Sequence, residues 1–235
     1  MFVKICLLVA MVFGLTTLGL GQIVNGSFEG SGLTGAYNPL GTGYGSTTAI
    51  PGWTVGSTGS VDLITTYWNA SAGSDSLDLS GWSAGSISQT FPTLPGVKYV
   101  ISFDMSANPD AGPRTYSMLV TAGAASQTFN YDTGVEGNTS NQAGDGDMMW
   151  KRMSIEFTAT AYNTTLNFAD VTPPQSPFYA GPALDNVGIT ALYGTVCHRN
   201  NGKAPFKTMT FTDLSSVRDH LGHGDAPGPC ASNPQ

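Results

Sequence analysis

The chain has three histidines, His198, His220 and His223, and all of them lie beyond residue 194. His220 and His223, at i and i+3, share one face of a helix, and Asp225 adds an oxygen donor. With His198 the group has the composition of a Zn²⁺ site. It lacks the HExxH spacing that builds a general base beside the metal. A small disulfide module with histidines bonded to backbone is the favoured expectation. The same clustering leaves residues 22–194 without a histidine, which excludes a Ser-His-Asp triad there. A carboxylate pair for glycoside cleavage has many acids to draw on, but choosing one needs their separation.

The aromatic side chains offer a second chemistry. Trp53, Tyr67, Trp68, Trp82 and Tyr179 fall at strand ends or in loops. Sugars present apolar C–H faces that stack on such rings, while Asp62 and Gln89 suit the hydroxyls. Buried tryptophan is the competing expectation. Trp53, after Pro-Gly, and Trp150, before a strand, read as core. Trp68 and Trp82, flanked by Asn69 and Ser83, read as exposed ligand-stacking candidates, with Tyr67 beside them. Asp78 reads equally well as a weak metal-ligand candidate or as a solvated strand-face carboxylate. Asp145 and Asp147, with Asp132 and Glu136 nearby, lack the ordered spacing of an EF-hand, so a solvated acidic loop is expected.

The elements that must position these groups are strands. Residues 76–108 read as three in succession. Leu77 and Leu79 alternate with Ser76, Asp78 and Ser80. Ile87 and Phe91 alternate with Ser86, Ser88 and Thr90. Tyr99, Ile101, Phe103 and Met105 alternate with Lys98, Ser102 and Asp104. This period of two places one face on a core and the other in water. Pro95-Gly96 suits a type II turn. Further strands are expected at 23–28, 53–55, 61–64, 116–120, 127–131, 150–160, 165–169 and 184–191, with residues 30–49 as a long loop. About ten short strands at this spacing predict an all-β fold, a two-sheet antiparallel jelly-roll sandwich with first and last strands adjacent. Beyond residue 194, a strand at 207–211 and a helix carrying Leu214, Val217 and Leu221, with Thr212 as cap, are expected.

Composition bounds the setting. Charged residues are 11% and apolar ones 40% of the chain, and the apolar residues are patterned, which argues against disorder. Residues 1–21 have the form of a secretory signal peptide: Lys4, an apolar run, then small residues at 19–21. No second apolar stretch of that length follows, so no transmembrane anchor is expected in the mature chain. Cleavage removes Lys4 and no acid, making the chain more acidic than its formal −7. That charge argues against nucleic acid and anionic membrane as partners. Cys6 leaves with the signal, and the remaining pair, Cys197 and Cys230, is expected as a disulfide in an exported protein. The resulting division is a signal at 1–21, a sandwich at 22–193 and a small Cys/His tail at 194–235.

Several phrases stand together in order: Val24-Asn-Gly-Ser-Phe-Glu29, Ile50-Pro-Gly-Trp-Thr-Val55, Val61-Asp-Leu-Ile64, Ser76-Leu-Asp-Leu79, Ile87-Ser-Gln-Thr-Phe91, Ser102-Phe-Asp-Met105 with Asn108-Pro109, and Gly181-Pro-Ala-Leu-Asp-Asn-Val187. Over about residues 23–191 this resembles the secreted choice-of-anchor C family, related to a plant cell-wall protein group. The resemblance implies a galactose-binding-like sandwich, extracellular placement, and association with carbohydrate or cell wall. Similar carbohydrate-binding sandwiches hold a structural Ca²⁺ where first and last strands meet, which makes Glu29 and Asp185 candidate metal ligands, with strand-end acids accepting turn hydrogen bonds or surface carboxylates as the competing expectation. The tail resembles a secreted bacterial module of the HLxHGDxxGxC type. The reading is a secreted, non-catalytic protein binding polysaccharide or a cell-wall component. The alternative is an extracellular structural or adhesion protein that binds another protein through its tail.

Overall fold

The computed structural model describes residues 21–110, 115–137, 148–173, 180–199, 202 and 205–231. The signal segment, Tyr179 and the Asp145–Asp147 pair lie outside the described residues, apart from Gly21. The chain forms thirteen strands among them: β1 (Tyr37–Gly41), β2 (Thr54–Val55), β3 (Ser60–Ile64), β4 (Ser76–Asp78), β5 (Ser86–Pro92), β6 (Val97–Ala107), β7 (Thr115–Ala122), β8 (Ala125–Asp132), β9 (Lys151–Thr158), β10 (Asn163–Asp170), β11 (Pro182–His198), β12 (Lys207–Phe211) and β13 (Ala226–Pro227). Two short helices, α1 (Thr133–Glu136) and α2 (Leu214–Gly222), complete it.

The strands pair antiparallel in two sheets, ordered β1-β3-β4-β11-β6-β9 and β2-β5-β10-β7-β8, with β12 and β13 also pairing β11. This is the jelly-roll sandwich that the alternation predicts. Strand β6 shows why: Val97, Tyr99, Ile101, Phe103 and Met105 are all buried on its inner face. Across the sandwich Phe103 meets Phe168 edge-on, with ring centroids 5.1 Å apart, and Phe168 meets Trp53 at 6.3 Å. Gly96, at φ +81°, makes the turn into β6 that Pro95-Gly96 announces.

Three expectations about the elements are corrected. Residues 23–28 form turns, not a strand, because Asn25 (φ 54°) and Phe28 (φ 62°) take the left-handed conformation. The segment still lies beside the last long strand: the Val187 N–H donates to the Gly26 carbonyl at 2.8 Å. Residues 30–49 are not all loop, since β1 pairs there with β3. The helix cap is Asp213, whose carboxylate accepts the Ser216 N–H, rather than Thr212.

The boundary expected near residue 194 falls inside β11, which runs on to His198 and pairs with β12 and β13. Val217 of α2 is fully buried in the same core as Val97 and Val196. The C-terminal segment thus extends the larger sheet. Cys197 and Cys230 form the expected disulfide.

Candidate functional site

A cavity of about 510 Å³ opens at one end of the β1-β3-β4 part of the larger sheet. Tyr37, Asp62, Ile64, Tyr67, Asp78 and Trp82 line it, together with Gly81, Asn108 and Asp110. The sheet supplies the floor. Asp62 of β3 pairs directly with Asp78 of β4, so two carboxylates stand side by side. Tyr37, at the start of β1, and the loops supply the walls. Tyr37 and Tyr67 meet edge-on at 5.8 Å, and the Tyr67 hydroxyl donates to Asp110. On the other side Trp82 is 48% exposed and stacks on Tyr44, centroids 6.2 Å apart and planes 11° from parallel. The Trp82 N–H is fixed by Ser60 Oγ at 2.7 Å.

The carboxylates differ in how they are held. Asp78 is buried, and its oxygens accept the Ser80 N–H at 2.8 Å and the Asn108 Nδ2 at 2.8 Å. Burial nevertheless pushes its carboxyl well above the ordinary range. Asp62 Oδ1 is buried and has no hydrogen-bond partner among the described residues. Burial pushes the Asp62 carboxyl up to about 6. The Tyr67 hydroxyl, tied to Asp110, is pushed up to about 12.

The cavity gathers Tyr67, Trp82 and Asp62 from the sequence-level candidates and leaves out two. Trp68 is only 3% exposed, and its Nε1 donates to Ser76 Oγ at 2.9 Å. It packs with Ile64, Met148 and Ala183 behind Tyr67, so it supports the wall rather than meeting a ligand. Gln89 binds the chain itself: its Oε1 accepts the Val24 N–H at 2.7 Å, and its Nε2 donates to the Val24 and Gly52 carbonyls. Asp78 is not on a solvated face, because β4 is central and all three of its residues are buried. Tyr37, Tyr44, Asn108 and Asp110 escaped the sequence reading. The only signal for the tyrosines was aromatic side chains in a Gly-rich stretch.

Glu29 and Asp185 converge on one loop, residues 72–75. Glu29 Oε1 accepts the Ser74 and Asp75 N–H groups at 2.7 and 2.9 Å. Asp185 accepts the Ala72 N–H at 2.7 Å and the Asn186 N–H at 2.6 Å, while burial pushes its carboxyl up to about 7. Backbone N–H groups thus hold both carboxylates beside one loop, although burial outweighs them at Asp185.

In the C-terminal segment Asp225 draws two of the three histidines together. Its Oδ2 lies 2.9 Å from His198 Nδ1 and 2.6 Å from His220 Nδ1, and its Oδ1 accepts the Arg199 N–H at 2.8 Å. Burial acts to raise this carboxyl, but the bonds from His198, the Arg199 N–H and His220 outweigh it and hold it well below the usual range. His223 follows the helix as its cap residue, is exposed, and stands apart from this cluster.

Comparison with known proteins places the molecule further. Halomucin from Haloquadratum walsbyi is 31% identical over 199 residues, which are 80% of this chain and 2% of halomucin, so the chain spans a small fraction of that relative. Among solved structures, a family 35 carbohydrate-binding module from Clostridium thermocellum is 14% identical, with a TM-score of 0.40 over 58% of this chain and 90% of its own. The CBM22-1 xylan-binding domain of Paenibacillus barcinonensis Xyn10C is 16% identical, with a TM-score of 0.39 over 73% of this chain and 96% of its own. The model of the family described as "Protein of unknown function (DUF642)" matches residues 21–190, from the N-terminal turn to the middle of β11, and the chain belongs to that family.

Proposed function

We propose that the protein is a secreted, non-catalytic binder of extracellular or cell-wall polysaccharide, and that its sugar lies in the Tyr37-Tyr67-Trp82 cleft. The observation that carries this reading is the half-exposed Trp82 ring, held flat by Tyr44 at the mouth of a cavity floored by Asp62 and Asp78. An indole that is 48% exposed and backed by Tyr44 offers ring surface to the C–H face of a pyranose, while carboxylates and Asn108 accept or donate to its hydroxyls. Among the described residues the lining contains Asp62, Asp78 and Asp110 and no Lys, Arg or His. Carboxyl and amide groups of this kind suit sugar hydroxyls, so the favoured ligand is a neutral glycan.

The floor carboxyls serve as binding groups: Asp78 is held by the Ser80 N–H and Asn108, and burial raises both Asp62 and Asp78. Secretion rests on the form of residues 1–21, and N-terminal sequencing of the exported protein checks it.

The test is titration of the mature chain against a panel of neutral and uronate-containing polysaccharides. Saturable binding of a neutral glycan, lost on Trp82→Ala while the fold is kept, supports the reading. Binding that survives Trp82→Ala, or turnover of the glycan, overturns it.

A further inference from the structure

We infer that His198, His220 and Asp225 form a binding site for one divalent transition-metal ion of the zinc class, separate from the saccharide cleft. The inference starts from convergence. Residues from three different places, the end of β11, the last turn of α2 and the turn after it, bring one donor atom each within 4.8 Å of one another. Both imidazoles aim Nδ1 at the same carboxylate oxygen, Asp225 Oδ2. The other oxygen is taken by the Arg199 N–H, which fixes the direction in which Oδ2 points.

The ligands are also held before any ion arrives. The His220 ring lies against Phe211, centroids 4.9 Å apart and 25° from parallel, and meets the His198 ring edge-on at 5.2 Å. His198 follows Cys197, whose disulfide to Cys230 closes this segment onto β11. The Asp225 N–H donates to the His220 carbonyl at 3.1 Å, joining two of the ligands through backbone. A site whose shell is fixed in this way loses little freedom on binding.

The donor set selects the ion. Two imidazole nitrogens with one carboxylate oxygen match Zn²⁺ and its neighbours Ni²⁺ and Cu²⁺, whereas Ca²⁺ and Mg²⁺ require shells made of oxygen. Without an ion, each neutral imidazole carries its proton on Nδ1 and donates it to Asp225. With an ion, that proton moves to Nε2, Nδ1 becomes the ligand, and the metal takes the place of both hydrogen bonds. The His198 and His220 side chains are 39% and 23% exposed, so water can complete the tetrahedron. The ion would clasp α2 to the end of β11, beside the disulfide.

Calorimetric titration of Zn²⁺ into the untagged, chelator-treated mature chain tests the site. The expected result is one ion per chain, undisturbed by excess Ca²⁺. His220→Ala weakens binding more than about tenfold, and His223→Ala leaves it unchanged. Asp225→Ala would also remove the anchor of the segment, so the second measurement uses the unmodified protein. One equivalent of Zn²⁺ should shift the ring ¹⁵N resonances of His198 and His220 and leave those of His223 in place. A folded chain that takes up no zinc saturably, unchanged affinity in His220→Ala, or shifts confined to His223 would each overturn the inference.

Discussion

Asp62 and Asp78 face each other across β3 and β4, and burial raises both carboxyls. The pair makes the floor of the cleft sensitive to pH. In the folded chain Asp62 titrates at about 6, against 3.8 as an ordinary aspartate. The folded state therefore holds a proton that the unfolded state has already released. The stability from this group is complete below its unfolded value and is lost as pH rises through about 6. Its full size is about 3 kcal/mol. Asp62→Asn should remove this share of the pH dependence, gaining stability over the wild type at roughly pH 8 and not at roughly pH 4. Denaturant unfolding of both proteins at the two pH values measures it, and equal differences at both would refute the assignment.

Trp68 and Trp82 should separate stability from binding. Trp68→Ala leaves a hole behind Tyr67 and should cost about 3 kcal/mol of unfolding free energy. Trp82→Ala should cost less than about 0.5 kcal/mol, because its ring is half exposed. Glycan affinity should respond in the opposite sense, falling more than about tenfold for Trp82→Ala. Tyr44→Ala should weaken binding less, since it only backs the indole.

Gly26 has no room for a side chain. A Cβ there would sit 1.9 Å from the Val187 carbonyl oxygen, a backbone atom of β11. Gly26→Ala should push the N-terminal turn off the sheet and cost about 3 kcal/mol. An unchanged denaturation midpoint would show that the turn is not docked as described.

The C-terminal segment should unfold together with the sandwich. Val217 fills the space over Gly194 and Val97, 2.5 Å from where a Gly194 Cβ would stand. Val217→Ala should cost about 2 kcal/mol in a single cooperative transition. A chain cut to residues 22–193 should melt lower than the full one. Equal melting temperatures would mean an independent module.

The sequence by itself determined the local elements and the disulfide. Alternation in residues 97–107 marks β6 and its inner face, since side chains of a strand point to opposite sides whatever lies beside it. Pro95-Gly96 marks its turn, and the two cysteines left beyond residue 21 mark Cys197–Cys230. What alternation does not carry is which strand neighbours which, because pairing joins residues far apart in sequence. Only the tertiary structure could therefore put Asp62 beside Asp78, bury Asp78 in a central strand, or lay Tyr44 behind Trp82. The same reason separates Trp68 from Trp82. Both are tryptophans next to small polar residues, but one faces Ile64 and Met148 while the other faces solvent. In the tail, helical spacing paired His220 with His223. The turn after α2 instead brings Asp225 back to His220 and His198, because the Arg199 N–H and the His220 carbonyl hold it there.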